Sequence, residues 1–307
     1  MTGYKYAFFN NKIDNIENAK ISIMTNALQY GTGVFGGIRG YYNSEKNFIS
    51  IFRLKEHYTR LLASIKILGC DFDYSVDQLC EITIELIRQN QIKKNTYCRP
   101  FAYLSTHKLG PNLAHEKLAF CMYMIPLEDY LPTDKGLNLQ VSSWRRVSDN
   151  AIPSRGKFSG AYLNSAFARK EAADNGYDEA IFLNEAGNVC EGSAENIFIV
   201  RNNTLITPDV TSNILEGITR NTLIQIAKEN NINVIERAVD RSELYVADEV
   251  FLSGTGCQLA WIKSIDKRLI GNGEIGKISE FLRAKYLNIV KGNDAQYTDA
   301  CTIVEMN

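Results

Sequence analysis

The chain has 307 residues, with 34 Lys and Arg against 35 Asp and Glu and a formal net charge of −1. Charge so evenly balanced leaves no excess of either sign to organise a nucleic-acid or membrane-surface partner. At 45% hydrophobic and 22% charged, the composition is that of an ordinary globular protein, which excludes disorder as the main state.

The length fits two domains or one large α/β unit. The start, Met1-Thr2-Gly3-Tyr4-Lys5-Tyr6, has no basic region leading into an apolar run, and no later stretch approaches the roughly 18 apolar residues of a membrane span. A cytoplasmic protein is expected. Cys70, Cys80, Cys98, Cys121, Cys190, Cys257 and Cys301 are scattered without a Cys-x-x-Cys pair, the usage of reduced, mostly buried thiols. His57, His107 and His115 are the only histidines, and none stands at metal-ligand spacing, so neither a metal site nor a His-based triad is expected.

In chain order, the alternating residues 6–9 followed by Asn10-Asn11 predict the start of a hairpin. Residues 30–41 then hold five glycines, which imply close backbone approach to something, a sheet with bulges, or simply a glycine-rich strand pair. Leu54, Tyr58, Leu61, Leu62, Ile65 and Leu68 recur at helical spacing and stop at Gly69, with Arg60 at the edge of the apolar face. A second helix is predicted over 76–90 and strands over 97–104 and 118–125. Residues 126–136 carry two prolines, a glycine and four charges and read as a linker. Strands are then predicted at 137–144, 179–183, 196–200, 232–239 and 249–253, with helices over 161–175 and 218–230. The boundaries expected are a small domain over 1–126, a linker over 127–136 and a large domain over 137–307.

Three places combine a reactive side chain with irregular backbone. Lys157 lies between a strand and a helix in Ser154-Arg155-Gly156-Lys157-Phe158-Ser159-Gly160; a lysine shielded from water has a lowered pKa and can attack a carbonyl, although alone it also reads as a surface lysine. Glu191, in Cys190-Glu191-Gly192-Ser193-Ala194, is an acid in a small-residue loop or a solvated turn carboxylate. Gly217-Ile218-Thr219 at a helix start and Ser253-Gly254-Thr255-Gly256 at a strand end could offer backbone N–H groups to an anion. Neither is a P-loop, since the Gly-Lys-Ser/Thr ending is absent.

Taken in order, Tyr30, Phe35-x-Gly37-x-Arg39, His57-x-x-Arg60-Leu61, Tyr97-x-Arg99-Pro100, Lys157 with Tyr162, Glu191-Gly192-x-x-x-Asn196-Ile197-Phe198, Gly217-Ile218-Thr219-Arg220 and Ser253-Gly254-Thr255 strongly resemble the fold-type IV pyridoxal-phosphate aminotransferases. Among these the chain is most similar to the branched-chain amino acid aminotransferases, and the resemblance spans nearly its whole length. It implies a two-domain α/β fold of the D-amino acid aminotransferase type, α+β in the small domain, with pyridoxal 5′-phosphate at the domain interface. Lys157 would hold the cofactor aldehyde covalently and later shuttle the substrate proton. Tyr162 would bond the phenolic oxygen, and Glu191 the pyridine nitrogen, so that the ring can accept electrons. Arg60, the amides of Ile218 and Thr219 and the Thr255 hydroxyl would cradle the phosphate.

For substrate, the resemblance implies that Tyr97, Thr255 and Gly256 bind the α-carboxylate and that Tyr30, Phe35, Gly37 and Tyr130 line the side-chain pocket. Arg99 would meet the distal carboxylate of glutamate. Arg99 favours branched-chain L-amino acids over the alternatives on the same fold, a D-amino acid aminotransferase or an aminodeoxychorismate lyase; a cofactor-binding scaffold without turnover is the non-enzymatic alternative. A homodimer acting on small amino and 2-oxo acids is implied, with pocket residues borrowed across the subunit interface. Gly36, where the family has glutamate, Pro111 in Leu109-Gly110-Pro111-Asn112-Leu113, Leu127 and Trp261 depart from its usual pattern and bear on the pocket rather than on the cofactor residues.

Overall fold

Asn10 and Asn11 take φ values of 51° and 62°, which asparagine tolerates and a two-residue hairpin requires. They join β1 (Tyr6–Phe9) to β2 (Lys12–Asn15) as expected. This computed structural model describes residues 3–128 and 135–306. Within them the chain forms two compact units, one of residues 3–128, 156–160 and 288–306, the other of residues 135–155 and 161–287. The division is discontinuous in sequence. A cut at 127–136 assigns Lys157 to the second part of the chain, whereas its contacts group it with the first.

The first unit continues through α1 (Asn26–Tyr30), β3 (Gly33–Phe35), β4 (Ile38–Asn43), β5 (Phe48–Phe52), α2 (Leu54–Leu68), α3 (Val76–Gln89), β6 (Thr96–Tyr103) and β7 (Ala119–Pro126). A last strand, Cys301–Glu305, returns to pair with β5. Its sheet is antiparallel throughout, in the order Cys301–Glu305, β5, β4, β6, β7, β1, β2, with β3 also on β6. The helices match the sequence expectation because their signals are local. Leu54, Tyr58, Leu61 and Ile65 form the buried stripe of α2, and the Gly69 N–H closes it on the carbonyls of Ile65 and Lys66. A capping box between Ser75 and Gln78 opens α3.

The second unit holds β8 (Leu137–Arg145), α4 (Tyr162–Asp174), β9 (Glu179–Leu183), β10 (Val189–Gly192), β11 (Asn196–Arg201) and β12 (Thr204–Thr207). It goes on through α5 (Ile218–Glu229), β13 (Asn233–Glu236), α6 (Arg241–Tyr245), β14 (Glu249–Gly254), β15 (Gln258–Ile265), β16 (Arg268–Leu269) and α7 (Lys277–Val290), whose last three residues fall in the first unit. Pairing runs β10, β9, β8, β15, β14, β11, and β10 also pairs with β11, so six strands close on themselves. Alternation along β9 then has a plain meaning: Ile181 and Leu183 join a core with Leu139, Ile197, Leu252 and Ile262, while Ala180 and Phe182 pack with Ala168 and Ala172 of α4.

Two expectations are corrected. Glu191 lies in a strand, not a loop, because β10 closes the ring through the Glu191–Asn196 pair. The strand expected over 232–239 is only Asn233–Glu236, since its parallel partner β12 offers four residues to pair with. Among the described residues no helix is long and apolar enough to cross a membrane.

Candidate active site

In the first unit, Lys157 is held by its backbone on both sides. Its N–H donates to Ser64 Oγ at 3.2 Å, from the middle of α2, and its carbonyl accepts from the Phe35 N–H at 3.0 Å. Just beyond, Ser159 Oγ and the Gly160 N–H both donate to the Gly31 carbonyl, at 2.8 and 3.1 Å. The main chain is thus anchored to the end of α1, to β3 and to α2, while the half-buried side chain stays outside these bonds. Its Nζ lies 5.1 Å from the centre of the Phe35 ring, and the Arg99 guanidinium lies 4.5 Å from the same ring. Phe35 therefore carries two cations.

Arg99 also donates to the Tyr97 hydroxyl at 3.1 Å, which fits their alternate positions on one face of β6. That hydroxyl occupies the space where a Cβ on residue 37 would sit, so glycine is required there for β4 and Tyr97 to approach. Arg60 is half-buried on α2, three residues after His57, which is buried. Burial, and then the charges of Arg60, Lys157 and Arg53, hold the His57 imidazole well below its ordinary pKa, so it is uncharged at neutral pH. Tyr30 ends α1, and its hydroxyl accepts from the Gly110 N–H at 3.1 Å.

The second unit builds around an anion. Glu191 is buried on β10 and each carboxylate oxygen is engaged. Oε1 meets the Arg146 guanidinium at 3.0 Å; Oε2 accepts from Asn196 Nδ2 at 3.1 Å and from the Leu215 N–H at 3.0 Å. Three donors, one of them cationic, favour the ionised form. Asn196 continues the network by donating to the Leu215 carbonyl at 2.9 Å, and its Oδ1 fills the place a Cβ on residue 217 would need. Gly217 is the N-cap of α5, and no side chain caps this helix. Its first residues Ile218 and Thr219 are buried. A buried, uncapped helix start presents backbone N–H donors with no intrahelical acceptor and favours a bound anion. Tyr162 is the first residue of α4, half-buried, and Thr255 and Gly256 form the turn between β14 and β15.

Residues 33–265 match the family model described as amino-transferase class IV. The chain is a class IV aminotransferase. A curated relative from Aquifex aeolicus, named "Probable branched-chain-amino-acid aminotransferase", is 50% identical over 95% of this chain and 94% of its own. The branched-chain amino acid aminotransferase of Thermobaculum terrenum, solved in its PLP form, superposes with a TM-score of 0.95 at 39% identity, covering 100% of both chains. That of Thermoproteus uzoniensis, solved with norvaline, gives 0.94 at 40% identity over 98% of this chain and 100% of the other. The fold is accordingly fold-type IV, as the ordered motifs implied.

In this class IV aminotransferase, Lys157, Arg60, Phe35, Gly37, Tyr97, Arg99 and Tyr30 belong to the first unit. Tyr162, Glu191, Ile218, Thr219, Thr255 and Gly256 belong to the second. Tyr130 lies outside the described residues. Three neighbours of the motif residues carry no assignment from the sequence: Arg146, Ser64 and, as more than a motif letter, His57. Arg146 follows a strand end with no local mark, and Ser64 is one serine in an amphipathic helix. His57 had the only available signal, its i,i+3 spacing to Arg60 on a helix.

Proposed function

We propose that this enzyme transfers the amino group between branched-chain L-amino acids (leucine, isoleucine, valine) and 2-oxoglutarate, giving branched-chain 2-oxo acids and L-glutamate, with pyridoxal 5′-phosphate as cofactor. The observation that carries the reading is full-length similarity, up to 50% identity, to enzymes bearing that name, together with a complete set of charged groups suited to the cofactor. The fit is chemical: a half-buried amine at Lys157, a paired carboxylate at Glu191, and buried, uncapped amides at Ile218 and Thr219. When bound, pyridoxal 5′-phosphate supplies an electrophilic aldehyde and a ring that accepts the electrons of the broken Cα–H bond.

Each residue then has a defined task. Lys157 would hold the cofactor through its ε-amine and would serve as the base that carries the substrate α-proton. Its backbone, bonded to Ser64 and Phe35, would fix the Cα from which that amine acts. Glu191, paired with Arg146, Asn196 and the Leu215 amide, would face the ring nitrogen as an anion. Tyr162 would bond the phenolic oxygen. Arg60, the Ile218 and Thr219 amides and Thr255 would be the groups that hold the phosphate. Tyr97 and the Thr255-Gly256 turn bind the α-carboxylate, while Tyr30, Phe35, Gly37 and Tyr130 form the apolar wall. Arg99, seated on Phe35 and Tyr97, takes the second carboxylate of glutamate and leaves the wall free for an aliphatic chain.

The active form is a homodimer in the cytoplasm. Support for self-association comes from the segment before and within α1, where Ile21, Ile23, Met24 and Leu28 are exposed, Ile23 at 83%; so many large apolar side chains in one stretch call for a partner surface. The free cysteines among the described residues accord with a reducing compartment. The deciding experiment is a set of half-reaction spectra: protein loaded with pyridoxal 5′-phosphate should show a borohydride-reducible band that leucine, isoleucine, valine and glutamate each convert to the pyridoxamine form. Lys157→Ala should lose both the band and at least about a thousandfold in kcat, within the range a positioned acid–base group supplies. A wild-type protein that forms no reducible band, or that turns over D-alanine but not leucine, would refute the reading.

A further inference from the structure

Helix α2 turns one face toward the Lys157 loop. Arg53 precedes the helix as its N-cap, and His57, Arg60 and Ser64 follow at steps of four, three and four residues, the spacing of side chains stacked along one helical face. Ser64 Oγ accepts the Lys157 N–H at 3.2 Å, which brings the lysine loop onto that face. Within this row His57 is only 5% exposed, and its Nδ1 is buried with no hydrogen-bond partner. A buried nitrogen without a partner costs stability unless something completes it.

Positive charge acts on the imidazole from Arg60 and Arg53, on α2 and at its start, and from Lys157 in the loop. All three are cations. The carboxylate nearest along the same element, Glu56, is 52% exposed and stands 3.9 Å from Arg53 Nε. In such surroundings a fourth positive charge is disfavoured both by burial and by repulsion, and the imidazole stays neutral. An anion carrying two charges reverses the second term: it opposes the three cations and offers an acceptor to an imidazolium N–H.

We propose that His57 is the proton-accepting partner of the anion held at Arg60, so that binding a phosphate dianion there is accompanied by uptake of one proton from water onto the imidazole. This inference rests on the assignment of Arg60 to the cofactor phosphate. His57 is then a positioning residue: it supplies a charge only when the phosphate is present, and spares the cofactor-free protein a fourth cation among three others. Affinity for the phosphate-bearing cofactor should rise as pH falls through the window between the two imidazole pKa values, approaching tenfold per pH unit from this proton alone.

The chain's small histidine count makes the test direct. His107 and His115 are exposed loop residues, and a His107→Gln, His115→Asn variant leaves His57 as the one imidazole; asparagine suits position 115, whose φ is 58°. Imidazole NMR shifts of this variant, followed from about pH 5.5 to 8.5 around the ordinary histidine range, should show a neutral ring without cofactor. With pyridoxal 5′-phosphate the ring should titrate at higher pH, and with pyridoxal, which lacks the phosphate, it should not. Calorimetry of cofactor binding in two buffers of different ionisation enthalpy should give up to one more proton taken up by the wild type than by His57→Gln. A ring that stays neutral with the phosphate-bearing cofactor bound, or equal proton uptake in the two proteins, overturns the role of His57 and leaves the transaminase reading intact. A wild type that binds no pyridoxal 5′-phosphate at any pH overturns both.

Discussion

The two units handle charge in opposite ways. In the first, cations gather around a neutral imidazole, with Arg53, Arg60 and Lys157 facing His57 and Arg99 sharing the Phe35 ring with Lys157. In the second, the buried charge is an anion already matched: Glu191 meets Arg146, Asn196 and the Leu215 amide. On the proposed roles, the first set of groups would gain from the anions that cofactor and substrate bring, whereas Glu191 is already paired within the protein and would be preorganised for its ligand.

The largest break in this comparison should come from Arg146→Ala. The pair is nearly buried on both sides, at 10% and 7% exposure, so removing one partner strands the other charge and should cost about 3–5 kcal/mol, read from urea unfolding. Arg146→Lys should recover part of this loss, since it restores charge without the planar fork. A cost below about 1 kcal/mol would mean that Glu191 is not a pre-paired anion. In the first unit, Gly37→Ala places a methyl against the Tyr97 hydroxyl and should cost about 1–3 kcal/mol by overpacking. Because it also displaces the Tyr97–Arg99 contact, KM for the amino acid should rise more than kcat falls.

Acid should separate the units more finely. His57 is held below its ordinary pKa of 6.5, so the unfolded chain binds that proton more readily; stability should be complete above about pH 6.5 and decline as pH falls below it. His57→Gln should flatten this part of a stability–pH curve. In the second unit, hydrogen bonds from Arg237, and then from Arg201 and the Asp240 N–H, hold Glu243 down to a pKa of about 2. Its contribution should be full above about pH 4.5 and fade as pH drops toward 2. The effect is the smallest here, about 1 kcal/mol, because the Arg237 and Arg201 side chains are 39% and 36% exposed and solvent screens the pairs. Arg237→Ala should remove most of it.

Helices α2 and α3, the β1–β2 hairpin and the helix after Gly217 were legible because their causes are local: apolar spacing, a capping box, an Asn-Asn turn, a glycine N-cap. The candidate site residues were legible only as an ordered set of motifs. Lys157 alone looks like a surface lysine and Glu191 alone like a turn acid; Glu191 was read as loop because Cys190-Glu191-Gly192-Ser193 has weak strand propensity, and its strand exists through pairing with Asn196.

By itself the sequence determined the class of chemistry, the helices with strong periodicity and the absence of a charge excess, since composition, periodicity and motif order are properties of the chain read along its length. Only the tertiary structure decided that Lys157 groups with the first unit, that β10 closes on β11, that Arg146 pairs with Glu191, and that Ser64 bonds the Lys157 backbone on the helix that carries His57. Each of these depends on two positions far apart in sequence whose interaction gains its strength when folding removes both from water, and neither position carries a local mark of the other.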